Sequence, residues 1–511
     1  MRSPKSILLI HPPVAKPCEP PAGLARLARA LGGRGVDCRV FDANLAGLCD
    51  LLDRAPAAGD TWSRRALAGR DANLRALRGA ALYKSLDRYK RAVMDTHRVL
   101  QLAGRAAGVE ISLCNYGDPR LSPVRSGDLL QAAERFAENP FMGGLEKPLT
   151  DLLTARAPEI VGISINFMSQ ALCGFALAGW FRKRLPGARI VMGGGLVTSW
   201  GHIPGFGSPF GGLVDALVGG PGEGPLAALC GAQQRGQGDV GGFDYTPFDL
   251  GRYLSPGPIL PYSTARGCYW RRCAFCPEKS ENNGYHPIPG EAVLGDIAGL
   301  TAGFDPRLIH FLDNALSPRL LKRLALNPPG VPWYGFARIT AGLADPDFAR
   351  ALRASGCVML KLGVESGDQA VLDALEKGTD LSTVSRALKA LKAAGIATYV
   401  YLLFGTPAET LPSARRTLAF TLNHAAVIDF LNLAVFNLPA YSPEARSLAT
   451  LPFYEGDLSL YRQFVHPAGW QRDRVRRFLV AEFKKPAPIR AILRNDPPFF
   501  TSNHAALLKI P

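Results

Sequence analysis

The sequence predicts an α/β protein. A Rossmann-like (flavodoxin-like) doubly wound parallel sheet with a helical insertion is followed by a partial (β/α)6 TIM-type barrel and a small C-terminal extension. Three observations predict this. Short apolar strands alternate with helical stripes in two separate series. A stretch rich in Gly and Pro parts the series at about residues 232–258. Residues 50–150 are rich in Ala, Arg and Leu at helical spacing and show no clear strand. The expected domains are 1–240, 255–450 and 451–511.

The first series opens at residue 5. An apolar strand ends near His11, and Leu24, Leu27 and Leu31 form one helical stripe that Gly32, Gly33 and Gly35 end. A second strand runs from Cys38 to Asn44, with Asp42 near its carboxyl end. After the insertion the pattern resumes at Glu159. There follow a buried strand to Phe167, a helix from Met168, a strand reaching Gly193, Gly194 and Gly195, a strand to Gly220, and a helix from Glu223. Ligands of such sheets bind beyond the carboxyl ends of the strands. Asp42, Ser164 and Gly193 to Gly195 fall there.

The second series begins at Ile259 and holds six strand–helix units, too few for a closed eight-unit barrel. Barrel chemistry sits at the carboxyl ends of the strands. The residues there are Cys268, Asp313, Arg338, Glu365, Gly405 and Asn437. Beyond residue 450 a basic amphipathic helix is expected within Gln471–Lys485, and His504 lies among apolar neighbours.

Hydrophobic residues make up 47% of the 511, enough for large cores, so disorder is not the expected state. The net charge of +16 says little about partners, and nucleic acid is not indicated. The most apolar segment, Ile160–Phe181, is interrupted by Ser164, Asn166, Ser169 and Gln170, so no membrane span is expected. The first residues carry too short an apolar run for a signal peptide, which predicts a cytoplasmic protein. Seven of the ten cysteines are scattered singly, as small buried hydrophobes are.

The other three cysteines, Cys268, Cys273 and Cys276, form a C-x4-C-x2-C loop. Three thiolates from one short loop can hold three corners of a cubane [4Fe-4S] cluster, whereas an electron-transfer cluster ordinarily uses four. The iron left open suits S-adenosylmethionine (SAM), whose amino and carboxylate groups can chelate it. Arg266, Arg271, Arg272 and Lys279 flank the loop as counter-charges to an anionic cluster, and Phe275 can pack beside cluster and adenine. A zinc site with His286 as fourth ligand is the alternative, although structural zinc usually draws on two paired ligand clusters.

With this loop the chain resembles the radical SAM family, in the branch with an N-terminal cobalamin-binding domain, from about residue 5 to about residue 450. The family loop commonly has three residues between its first two cysteines; here there are four. The resemblance implies that Glu365 and Ser366 contact the SAM ribose or amino group. It also implies that the turn at Gly405 lies against the adenine, and that Arg338 and Lys377 face the SAM carboxylate. Asp313 and Asn314 stand at the end of the second strand. The sheet would hold the nucleotide tail of cobalamin, with Ser164 and Gly193 to Gly195 beside it. The cobalt-ligating pattern D-x-H-x-x-G corresponds to Asp42, Asn44 and Gly47, so Asn44 stands in the histidine position. A Rossmann-like domain that has lost this ligand remains the alternative.

The resemblance implies a cobalamin-dependent methyltransferase. One SAM methylates cob(I)alamin; a second yields a 5′-deoxyadenosyl radical that abstracts hydrogen from an unactivated carbon. An electron donor such as flavodoxin or ferredoxin is implied, and the substrate is left open. The alternatives are radical cyclisation or rearrangement without methyl transfer, and a non-catalytic Fe–S or zinc module.

Overall fold

The computed structural model describes residues 5–56, 59–232, 242–500 and 504–508. The chain divides into two compact units. Unit 1 runs up to Pro258 and includes Tyr454–Leu460 and Pro498–Phe500. Unit 2 comprises Ile259–Phe453, Tyr461–Pro497 and the described residues of 501–511. Among the described residues no helix is long and apolar enough to cross a membrane.

Unit 1 is built on β1 (Ile7–His11) and β2 (Cys38–Asp42). A two-residue hairpin follows in the insertion, β3 (Glu110–Ile111) and β4 (Tyr116–Gly117). The main sheet then gains β5 (Ile160–Ser164), β6 (Arg189–Gly193) and β7 (Ala216–Val218). Its order is β2-β1-β5-β6-β7, all parallel. Counting these five strands alone, that is the flavodoxin-like order 2-1-3-4-5, whose switch point lies between β1 and β5. Helices pack on the sheet, so its inner strands are mostly apolar, and every residue of β1, His11 included, is buried.

The insertion is helical, as its composition predicts, and its longest helix is Leu86–Ala106. The hairpin β3–β4 is the departure from that expectation, and neither strand carries enough apolar alternation to be read from sequence. Helix Met168–Arg184 is buried on most sides because helix Ser126–Glu134 packs onto its outer face. Contact there is backbone-close: a Cβ on Gly179 would stand 1.9 Å from the Ala133 carbonyl oxygen. Of the stretch expected to link the domains, residues 233–241 lie outside the described residues. The remainder packs into unit 1, with Phe243, Tyr245, Phe248 and Tyr253 buried.

Unit 2 opens with β8 (Ile259–Tyr262) and a small ladder of β9 (Ala265–Arg266) with β10 (His286–Pro287). Then come β11 (Leu308–Leu316), β12 (Trp333–Ala337), β13 (Cys357–Glu365), β14 (Ala397–Phe404) and β15 (Phe430–Val435). The six long strands pair in sequence order and in parallel, which is the expected six-unit partial barrel. Three short strands complete the unit, β16 (Leu438–Pro439), β17 (Thr450–Pro452) and β18 (Tyr461–Phe464). The basic helix runs Arg472–Phe478 and continues as a π turn over Leu479–Phe483, burying Val475, Phe478, Leu479 and Phe483.

Gly179→Val is expected to destabilise unit 1 by about 3 kcal/mol, because a backbone carbonyl cannot yield to the added side chain. Gly299→Ala, in helix Gly290–Phe304 with open space at its Cβ, should stabilise unit 2 by about 1 kcal/mol. Denaturant unfolding of the two variants beside the parent checks both signs.

Candidate active site

The pleat of the barrel strands sorts their side chains into two sets. One set is buried against the surrounding helices. The other faces the concave interior, and its exposure rises along the strands. Near the amino ends His310, Tyr334, Lys361 and Tyr399 are buried and form a floor. Lys361 Nζ lies 2.9 Å from His310 Nε2, and the His310 ring stacks on Tyr334 at 4.3 Å. Farther along, Leu312, Phe336, Gly363, Tyr401 and Asn432 are partly open, with Phe336 and Tyr401 in ring contact at 4.9 Å. Asn314, Arg338 and Glu365 follow at the carboxyl ends.

The cysteine loop leaves this carboxyl end after β8. Asp313 holds its entrance, accepting from Thr264 N at 3.0 Å and from Thr264 Oγ1 at 2.6 Å. Burial pushes the Asp313 carboxyl up, and those hydrogen bonds oppose the shift. Thus Asp313 anchors the loop through Thr264, a contact the spacing of the motifs does not reveal.

All three thiols of the loop are free and half-buried. Burial pushes Cys276 up to about 11; the backbone N–H groups of Glu278 and Lys279 pull it down, and the neighbouring thiols of Cys273 and Cys268 push it up. Burial also raises Cys273, against the Lys377 and Arg338 cations. Cys276 therefore lies within electrostatic reach of both other thiols, and Cys273 within reach of two fixed cations. No three His, Cys, Asp or Glu side chains among the described residues are grouped to hold a single metal ion. The thiols of a cubane cluster stand on separate irons and need no such convergence. A three-thiolate donor set with fixed cations beside it suits an anionic [4Fe-4S] cluster.

Lys377 Nζ donates to Glu365 Oε1 at 2.7 Å, and both side chains are nearly buried. Glu365 holds a left-handed φ of 66°, and the β13–β14 register shifts between Gly363 and Glu365. A Cβ on Gly363 would stand 2.4 Å from Glu365 Oε1, so glycine there makes room for the ion pair. Lys377 Nζ also lies 5.7 Å over the Phe275 ring. Arg338 donates to the carbonyl oxygens of Lys377 and Gly378. Ser366 faces inward, within hydrogen-bond reach of Thr417 Oγ1 at 3.1 Å, and accepts from Asp368 N. The structure thus brings Arg338, Glu365, Lys377 and Phe275 together beside Cys273, and it places Ser366 in a packing network behind them.

Gly405, at a φ of 77°, turns the chain after β14, and its N–H donates to Glu409 Oε2. The same oxygen accepts from Trp470 Nε1 at 2.8 Å, while Oε1 is buried with no hydrogen-bond partner among the described residues. Burial pushes the Glu409 carboxyl up to about 7. Gly405, Phe436, Phe464, His466, Trp470 and Arg472 line a partly open pocket. Glu409 and Trp470 thus brace the turn at Gly405, a contact that periodicity alone does not pick out. His504 packs against Tyr399 and Phe430 and lies 3.2 Å from Asp496, in a structural setting.

In unit 1, Asp42 caps helix Ala43–Asp53 by accepting from Leu45 N, and it accepts from Tyr253 OH at 2.6 Å. Asn44 is buried and clasps the peptide of Ala15: Oδ1 accepts from Ala15 N at 2.9 Å and Nδ2 donates to Ala15 O at 3.0 Å. A Cβ on Gly47 would press on Phe141 at 2.8 Å. All three residues therefore have internal work. At the switch point, Ser164 Oγ accepts from Asn166 Nδ2, and Asn166 Oδ1 accepts from Gly195 N at 3.0 Å. Gly194, at a φ of 102°, has room for no Cβ, since Ile165 O would stand 2.5 Å away. Gly193 pairs with Ser164 across β5 and β6. Phe167 stands exposed beside this network.

Residues 262–421 match the radical SAM superfamily. That stretch takes in the cysteine loop and strands β11 to β14. Among curated relatives, the tryptophan 2-C-methyltransferase of Streptomyces laurentii is 27% identical over 218 residues, 39% of this chain and 36% of that protein. The anaerobic magnesium-protoporphyrin IX monomethyl ester cyclase of Rubrivivax gelatinosus is 27% identical over 159 residues, 30% of this chain and 28% of that protein. The chain thus spans well under half the length of either relative. Its fold resembles the radical SAM methyltransferase TsrM of Kitasatospora setae, solved with tryptophan and a SAM analogue, at a TM-score of 0.55 and 16% identity. The match covers 96% of this chain and 89% of that one. The likeness shows a shared fold over both units.

Two outcomes test the site. Glu409 holds its proton up to about pH 7 when folded but releases it near pH 4.5 when unfolded, so it weakens the fold as pH rises between those values. Relative to Glu409→Gln, the parent should lose about 3 kcal/mol of stability from pH 4.5 to pH 8, measured by urea unfolding at several pH values. Asn44→Ala strands both polar groups of a buried peptide, and should cost about 2–3 kcal/mol in the same assay.

Proposed function

We propose that the protein is a cobalamin-dependent radical SAM methyltransferase acting on an unactivated carbon. The observation that carries this reading is a pairing within one chain. A half-buried three-cysteine loop stands at the carboxyl end of a six-strand radical SAM barrel, and a parallel sheet carries glycines at its switch point, where Gly194 leaves no room for a Cβ beside Ile165 O and Gly195 N donates to Asn166. Cys268, Cys273 and Cys276 hold the [4Fe-4S] cluster. Ser164, Gly193, Gly194 and Gly195 hold cobalamin at the switch point of unit 1. Asn44 is committed to Ala15, so its side chain would not serve as the ligand that the D-x-H-x-x-G pattern places at that position.

When bound and reduced, the cluster supplies the electron that cleaves the SAM sulfonium, and cobalamin supplies the methyl group. Beside the cluster, Glu365, Lys377 and Arg338 meet the amino and carboxylate groups of SAM, and Phe275 shields its adenine. The pocket beside Gly405 receives the adenine edge. The substrate enters the barrel interior between Leu312, Phe336 and Tyr401, where partly exposed apolar walls exclude water from the reacting carbon. An electron donor such as flavodoxin or ferredoxin supplies the reduction. Free thiols throughout the described chain suit the reducing cytoplasm. Ring closure without methyl transfer is the second reading, which the likeness to the Rubrivivax cyclase favours.

The test is anaerobic reconstitution of the full chain. About four irons per chain are expected, with one cobalamin and reductant-dependent cleavage of SAM. Cys268→Ala should lose both iron and cleavage; cleavage that survives it overturns the cluster assignment. Iron without cobalamin overturns the methyltransferase reading and leaves ring closure.

A further inference from the structure

The spacing of four residues between Cys268 and Cys273 needs a structural account, because the loop has no regular secondary structure between Gly267 and Cys276. Arg271, within the longer segment, takes a left-handed φ of 49°. The preceding Trp270 is directed onto the turn Leu375–Gly378. Its Nε1 donates to Glu376 O at 3.0 Å. Gly378, at a φ of 64°, lies flat against the indole, and a Cβ there would stand 2.2 Å from the ring. The Arg338 guanidinium lies 3.8 Å from the indole centroid and that of Arg272 lies 5.0 Å from it. Arg338 in turn donates to the carbonyl oxygens of Lys377 and Gly378, so it joins indole and turn. On the far side of Cys273, Ala274 N donates to Leu375 O at 3.0 Å. Cys273 is thus bracketed by two attachments to one turn.

We propose that Trp270, seated on Gly378 and stacked on Arg338, is a positioning residue that takes up the additional loop residue and sets Cys273 for the cluster. The inference rests on the reading that Cys268, Cys273 and Cys276 hold that cluster. It gives Arg338 a loop-holding role through an aromatic contact, of the kind by which groups around a metal site orient its ligands.

The experiment uses the full chain, reconstituted anaerobically with iron and sulfide. The readouts are the rate of iron loss to a ferrous chelator and the electron paramagnetic resonance spectrum of the reduced cluster before and after SAM. Trp270→Ala and Gly378→Val should each lose iron on the order of tenfold faster, and each should alter the spectral change on adding SAM. Trp270→Phe keeps a ring over Arg338 and should restore most of the retention, which a general loss of folding would not do. Should Trp270→Ala fold poorly, the comparison of Trp270→Phe with Trp270→Leu decides the matter: equal iron retention and equal spectra overturn the proposal. Parent-like behaviour of both Trp270→Ala and Gly378→Val also overturns it. A parent chain that takes up no cluster overturns the functional reading instead.

Discussion

A loop that must present three thiols without helix or strand to shape it depends on what it is docked against. Here that support is the turn Leu375–Gly378, which meets the loop through Trp270 on one side of Cys273 and Ala274 on the other. Thr264, gripped by Asp313, fixes where the loop begins. The same turn supplies Lys377 to Glu365, so the cysteine loop and the ion pair beside it share one scaffold. Charge explains why the pair sits there: a nearly buried carboxylate needs its cation, and the surplus positive charge of Arg338 suits an anionic neighbour.

The pleat of the barrel strands does the remaining sorting. Successive side chains point to opposite faces, so Lys361, Gly363 and Glu365 of β13 run from floor to rim along one line. At the floor, Lys361 and His310 are enclosed by Tyr334 and Phe336, so polar groups lie beneath apolar walls. The interior therefore changes from cationic and aromatic to apolar to charged along the strands.

Unit 1 shows how one residue's chemistry redirects a motif. With asparagine at position 44, the side chain is short enough to be buried and matches a peptide group on both edges, so it clasps Ala15. Asp42 and Gly47 serve the same helix start, one as its cap and one as a close approach to Phe141. At the switch point between β1 and β5, Ser164, Asn166 and the glycines after β6 meet in one hydrogen-bond network.

Much of this was legible in the sequence because it is local. Apolar runs bounded by glycine marked the strands of both sheets, helical stripes marked the connections, and three cysteines within nine positions marked the candidate cluster loop. The carboxyl-end rule then placed Arg338, Glu365 and Gly405 on the correct edge. The hairpin β3–β4 escaped because two-residue strands carry no period. The contacts of Trp270 with Gly378 and Arg338, of Glu409 with Trp470, and of Asn44 with Ala15 escaped for another reason. Each joins segments far apart in the chain through the geometry of a buried hydrogen bond or ring contact, and no spacing rule encodes that geometry. By itself the sequence determined the elements, their order and the donor atoms; the tertiary structure alone decided which polar groups face a ligand and which are used in holding the fold, because that choice depends on what is packed against each of them.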